Sequence, residues 1–281
     1  MRIITITIIS VLTLSLPVLL HAKGKKVNKI IVDAGHGGKD YGAQGGFSNE
    51  KDVTLAVSLK LGKILVDSFK NLQVVYTRTG DTYPTLPERH DIANRAQGDL
   101  FIAIHANSTP FTYTKKLVGY KNVKRHHKTV KQPIYQTTRH HETSRMGVET
   151  YVLGLHRMGQ LGSEVEDEFT SGDSSSNSLL NANDPQTAII VAQYTQAFLG
   201  RSIRLGTKIQ EQFGAQGRPD LGVKQKGLEV LAGSAMPGVL VEIGFINNPQ
   251  EEAYLNSEKG QTEVALAIYR GIKAYKGEIE K

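Results

Sequence analysis

The stretch "IVDAGHGGKDYGAQGG", residues 31–46, closes an apolar run and then crowds six glycines into its remainder. Glycine-rich turns after a strand often bring backbone N–H groups up to a phosphate. This one holds no G-x-x-x-x-G-K-[ST] and no clean G-x-G-x-x-G opening a helix. It presents a histidine instead: His36, between Gly35 and Gly37, at the end of a strand-like segment.

Outward from this turn the chain alternates between two periods. Residues 28–34, 72–78, 99–106, 148–154 and 238–245 are short apolar runs that read as strands. Residues 50–69 are rich in helix formers, with Asn49 as an N-cap candidate, and residues 87–96 form a shorter helix. Asp184-Pro185 starts a helix running to about Phe213, and Val264, Ile268, Ile272 and Tyr275 recur at helical spacing in a closing one. Strands separated by helices predict an α/β fold: a mostly parallel or mixed twisted sheet of about six strands, flanked by helices.

Residues 1–22 read as a secretory signal peptide, with one Arg, a short apolar run and Ala22 at the cleavage position. Residues 23–281 then read as a single domain with a real core. The expected protein is exported, periplasmic or else secreted or wall-associated, and monomeric, with no stable membrane insertion. The chain has no cysteine, so its stability rests on burial rather than on disulfides.

Two segments break the alternation. Residues 109–147 hold nine cations against one anion, a net +8 within a chain of net +7, so the rest sums to −1. The basic character belongs to that insertion, and no nucleic-acid partner is expected. It reads either as an anion-attracting segment or as a solvated loop, with paired histidines at 126–127 and 140–141. Residues 155–184 run through an acidic cluster, Glu164, Glu166, Asp167 and Glu168, into a linker-like "SGDSSSNS".

Four residues share one topological property. His36 follows the first strand, His105 and Glu242 end later ones, and Glu50 opens a helix. Ligand sites in open α/β sheets lie beyond the carboxyl ends of the strands, so these positions can converge. Two imidazoles and a carboxylate suit a catalytic zinc, and a second carboxylate suits a general base. Plainer roles fit the same residues: a hydrogen-bonded loop histidine, a glutamate complementing a helix dipole, a simple glycine turn. Glu242 is the hardest to explain so, because an unpartnered carboxylate in an apolar strand costs several kcal/mol.

The blocks "IVDAGHGGKDYGAQG", "NEKDVTLAVSLKLGKIL", "VVYTRTGDTYPTLPERHDIAN", "DLFIAIHANS", "GVETYVLG" and "VLVEIGFINNPQEEAYL" resemble, in family order, those of the zinc-dependent N-acetylmuramoyl-L-alanine amidases of type 3. The resemblance implies one zinc per chain held by His36, Glu50 and His105, with Glu242 catalytic. It implies hydrolysis of the amide between N-acetylmuramic acid and L-alanine in peptidoglycan, for wall remodelling, cell separation or lysis. Alternatives are another zinc peptidoglycan amide hydrolase, such as an endopeptidase, or a catalytically silent wall-binding protein. Some such amidases carry a helical insertion that covers the zinc until an activator protein displaces it. Residues 155–213 resemble that layout, with the acidic cluster as the source of a blocking carboxylate.

Overall fold

The computed structural model describes residues 26–125, 128–170 and 185–281. The signal-peptide reading, His126, His127, Asp184 and the serine-rich run lie outside them.

The central sheet is built from β2 (Gln73–Tyr76), β1 (Lys29–Ala34), β3 (Leu100–Asn107), β8 (Gly238–Phe245), β6 (Val148–Leu153) and β7 (Asp220–Lys226), in that spatial order. The first four run parallel, β6 pairs antiparallel to β8, and β7 runs parallel to β6. This is the expected six-stranded mixed sheet. Runs such as Ile30-Ile31-Val32 and Ile102-Ala103-Ile104 are apolar at every position because helices cover both faces, and each of these residues is fully buried.

Strand alternation sorts the core into two layers. Ile30, Val32, Ile102, Ile104, Val239 and Val241 face α1 (Glu50–Ser68) and α7 (Glu258–Ile279). Ile31, Phe101, Ala103 and Leu240 face α2 (Leu86–Arg95), α3 (Met158–Thr170) and α5 (Glu229–Ala232). The long α4 (Pro185–Ala215) serves both layers: Val191 and Phe198 pack in the second, Leu205, Ile209 and Phe213 in the first. Each such aliphatic side chain contributes about 1.5–3 kcal/mol on burial. α6 (Pro249–Leu255), capped by Asn248, closes the fold beyond β8.

Three readings are corrected. Asn49 occupies the N-cap position of α1, but its side chain makes no cap bond. The carbonyls of Ala43 and Tyr41 accept from Glu50 N and Lys51 N instead, which ties the glycine loop to the helix. Residues 109–147 are solvated but not an irregular loop: within them β4 (Thr112–Arg125) and β5 (Lys128–His140) pair as an antiparallel hairpin. The linker-like segment begins with α3, whose Leu161 and Val165 are buried in the core.

Candidate metal centre

The parallel strands end together, and the loop after β1 is folded back across their carboxyl ends. His36 sits in it at φ 58°, a left-handed conformation that a non-glycine residue seldom adopts. Two buried arginines hold the strained turn by its carbonyls. Arg78 donates to the oxygens of Ala34 (3.0 Å) and Gly35 (2.7 Å). Arg89 donates to those of Ala34 and His36, each at 2.7 Å, and pairs with buried Asp33 at 2.6 Å. Both arginines therefore act on the loop backbone.

Glu50 is the hub. Its Oε1 lies 2.9 Å from His105 Nδ1 and accepts from Ala106 N at 2.9 Å. Its Oε2 lies 3.1 Å from His36 Nε2 and accepts from Ala43 N at 2.7 Å. The two imidazole rings meet edge to face, with centroids 5.0 Å apart. Asp40, which sequence reasoning passed over, binds the far nitrogen of His36, with Oδ2 2.8 Å from Nδ1. That bond aims Nε2 at Glu50 and would keep a proton on Nδ1 once Nε2 gave its own up to a metal.

Two glycines make the approach possible. A Cβ on Gly35 would lie 2.5 Å from the His105 ring. One on Gly42, at φ +66°, would lie 2.6 Å from both Glu50 Oε2 and the His36 ring.

The charges are arranged to attract a cation. Burial alone would lower the pKa of His36, but the bonds and charges of Glu50 and Asp40 outweigh it and raise the ring to about 9. His105 is raised in the same sense, Glu50 again overcoming burial. Glu50 itself falls far below the usual carboxylate range; burial works against this, and the two histidines prevail. Donor atoms of His36, Glu50 and His105 lie within 4.8 Å of one another, the one such group among the described residues. Two imidazole nitrogens and a carboxylate oxygen, steadied by Asp40, make a donor set that fits a divalent metal with a position to spare.

Glu242 lies beside this group, paired with His105 in the β3–β8 register. Its Oε2 is buried and has no hydrogen-bond partner. Burial pushes its pKa up to about 7; His105 opposes the rise, and Glu50 and Glu149 add to it. A cleft of about 280 Å³ opens next to the histidines, lined by Asp33, Asp40, Tyr83, Arg89, Glu229 and Leu240 among others.

All four sequence-selected residues thus converge. Of the acidic cluster, Glu164 and Glu166 are not in the metal group, and the side chains of Asp167 and Glu168 lie outside the described ones. Glu164 Oε2 is 3.5 Å from Asn94 on α2, because burying Leu161 and Val165 turns that side of α3 toward α2. His140 bonds Thr114 at 2.8 Å and His141 stacks on Phe111, so neither sits in a metal group.

Fold and site together define an α/β protein with a group ready to hold a metal beside a cleft. The chain belongs to the N-acetylmuramoyl-L-alanine amidase family, whose pattern it matches over residues 30–274. It is 30% identical to the uncharacterized protein YqiI of Bacillus subtilis (strain 168), across 88% of this chain and 84% of that one. It is 29% identical to the probable amidase AmiB of Haemophilus influenzae over 88% of its own length, spanning about half (51%) of AmiB. An N-acetylmuramoyl-L-alanine amidase structure from Clostridium difficile 630 superposes with a TM-score of 0.59 at 25% identity, covering 89% of this chain and 97% of that one. Peptidoglycan amide hydrolysis is the activity of the family, and this chain is an amidase of that kind.

Proposed function

We propose that the chain binds one zinc ion through His36, Glu50 and His105 and uses Glu242 as general base to cleave the bond between N-acetylmuramic acid and L-alanine. The observation that carries this is the β3–β8 register, which sets an unpartnered carboxylate beside the metal-ready group. Held by His36, Glu50 and His105, zinc would supply Lewis-acid polarisation of the scissile carbonyl and acidify the attacking water. Glu242 Oε2 takes that water's proton as its oxygen attacks the lactyl carbonyl carbon. It then delivers the proton to the alanine nitrogen as the C–N bond breaks. A pKa near 7 suits both transfers at neutral pH. Asp40 keeps the proton of His36 on Nδ1, leaving Nε2 free to ligate.

The test is metal analysis combined with digestion of purified sacculi. One zinc per chain and released stem peptides with N-terminal alanine are expected; cleavage inside the stem peptides would point to an endopeptidase. We place the chain outside the cytoplasm on the leader-like residues 1–22. No helix among the described residues is long and apolar enough to cross a membrane.

The regulatory reading of residues 155–213 takes an altered form. Arg157 Nη2 and Gln160 Nε2 hold Glu229 at 2.8 and 2.6 Å, and Glu229 lines the cleft. An activating partner that grips the exposed flank of α4, at Ile189 and Tyr194, would act by pulling α3 and with it this wall. The double variant Arg157→Ala, Gln160→Ala should then raise basal turnover several-fold; unchanged turnover rejects the idea.

A further inference from the structure

The β4–β5 hairpin is the part of the molecule that amide hydrolysis leaves without a role. Among the described residues its two strands pair only with each other, and every residue in them except Gly119, Val123 and Gln132 is exposed. Fourteen residues in β4 make an arm on the order of 45 Å long at the usual rise per residue. It carries eight cations, from Lys115 to Arg139, and no acid. Register and alternation place Tyr113, Tyr120 and Tyr135 on one face, interleaved with Lys115, Lys131 and Arg139. Those tyrosines are 60%, 61% and 54% exposed. A two-stranded ribbon is marginal in water on its own, and a row of solvent-facing aromatics marks an interaction site.

The arm is rooted at the catalytic rim. It leaves β3 directly after Asn107, whose amide donates to Glu149, the cross-strand neighbour of Glu242. Both of its legs are pinned by one buried side chain. Asn247 accepts from Thr109 N (3.1 Å) and donates to the carbonyls of Thr109 (3.2 Å) and His141 (2.6 Å). Phe111 stacks on His141, and the Arg139 guanidinium lies 4.1 Å above the Phe111 ring.

We propose that this arm is a docking surface for the peptidoglycan polymer, its cations meeting stem-peptide carboxylates and its tyrosines stacking on sugar rings. The identity of the polymer rests on the amidase reading. Charge complementarity and the rooting of the arm at the end of β3, the strand that carries His105, favour this occupant, because a polymer strand held along the arm leads toward the candidate metal centre. A membrane fits less well: the tyrosines share their face with cations, and the other face carries Lys116, Lys121 and Lys128, so no purely apolar face exists to enter a bilayer.

The experiment uses the zinc-loaded chain and two variants, Lys115→Gln/Lys121→Gln/Lys124→Gln/Lys131→Gln and Tyr113→Ser/Tyr120→Ser/Tyr135→Ser. Circular dichroism and melting verify that each folds. The readout is co-sedimentation with purified sacculi, at about 25 and about 300 mM salt to vary screening. Wild-type sedimentation should weaken with salt, and each variant's apparent affinity should fall about fivefold or more at low salt. Equal sedimentation by folded variants overturns the proposal. So does binding to phosphatidylglycerol vesicles that matches or exceeds binding to sacculi. Turnover of a soluble muramoyl-peptide, too short to span arm and cleft, tests the amidase reading separately.

Discussion

Glu149 and Glu242 face each other across β6 and β8, and the fold gives these two carboxylates opposite surroundings. Glu149 accepts from Tyr151 Oη at 2.8 Å, from Asn107 Nδ2 and from Lys224 Nζ. Burial would raise its pKa, but Lys224 and Tyr151 outweigh that and hold it below the usual range. Glu242, with no partner for Oε2, rises to about 7. Neighbouring carboxylates driven apart in this way can divide the labour, one keeping its charge and the other moving protons.

Glu242→Gln should separate function from stability. A carboxyl raised from 4.5 to about 7 on folding binds its proton more tightly in the folded state. It costs stability progressively as pH climbs through that window and nothing below it. In metal-free protein the glutamine variant should therefore match wild type at about pH 4.5 and exceed it by on the order of 1–3 kcal/mol above pH 7. The same variant should lose about 10²–10⁴-fold in turnover. Chemical denaturation at both pH values, with a sacculus-release assay, reads both effects; wild-type turnover would remove Glu242 from the mechanism.

Metal-free protein should lose stability in alkali. His36 is raised on folding from 6.5 to about 9, so its contribution is complete below pH 6.5 and gone above about 9. Glu50 is lowered, so its share of the same pairing is present above 4.5 and disappears only in strong acid. In the Glu242→Gln background, where the loss described above is absent, chelator-treated protein should thus melt highest between about pH 5 and 6.5 and lose on the order of 2 kcal/mol by pH 9. Zinc should reverse that slope, since metal binding must displace these protons and strengthens as pH rises. A flat metal-free profile would contradict the geometry around Glu50.

Legibility in the sequence followed burial. β1, β3 and β8 carry unbroken apolar runs because both faces are covered, and three of the four site residues stand just past those runs, His105 and Glu242 still within their strands. β7, "DLGVKQK", is a half-exposed edge strand with no apolar run to notice. The hairpin buries neither face, so no period-two pattern exists and backbone pairing alone makes it. α3 did leave a signal, Met158, Leu161 and Val165 at helical spacing, obscured by the acidic residues among and after them. Glu149 was also within reach: the argument that an acid in an apolar strand needs a partner or a job applies to "VETYVL" as well as to "VLVEIGF". Asp40 carried no such signal, because acids in glycine loops are ordinary.

Gly42→Ala should damage the centre although it removes no ligand. The backbone there is left-handed at φ +66°, which costs a side-chain-bearing residue about 1–2 kcal/mol. The added methyl would also press on Glu50 and His36 together. Zinc retention under chelator challenge should drop about tenfold or more, with activity following it. Gly159→Ala is the control: it meets nothing within 4 Å in an α-helix and should be neutral or mildly stabilising. Equal zinc retention in both variants would show that the ligand cage tolerates what the close contacts say it cannot.

Asn247→Leu should free the arm from the body. Asn247 is 2% exposed, and its side-chain bonds to Thr109 and His141 are reinforced by Thr143 N donating to its backbone carbonyl at 3.0 Å. Leucine keeps the backbone bond and the bulk but leaves Thr109 N and two carbonyls without that partner in a partly buried place. The cost should be about 2–4 kcal/mol, or roughly 5–10 °C in melting temperature. Loosening at the root should also speed tryptic cleavage between Lys115 and Arg139, beyond what the lowered global stability accounts for. That excess is the informative quantity, since global unfolding exposes every site in proportion while a local hinge exposes only the arm. A variant that melts within a degree of wild type and is nicked at the same rate would mean that strand pairing and the Phe111–His141 stack hold the hairpin upright without the clamp.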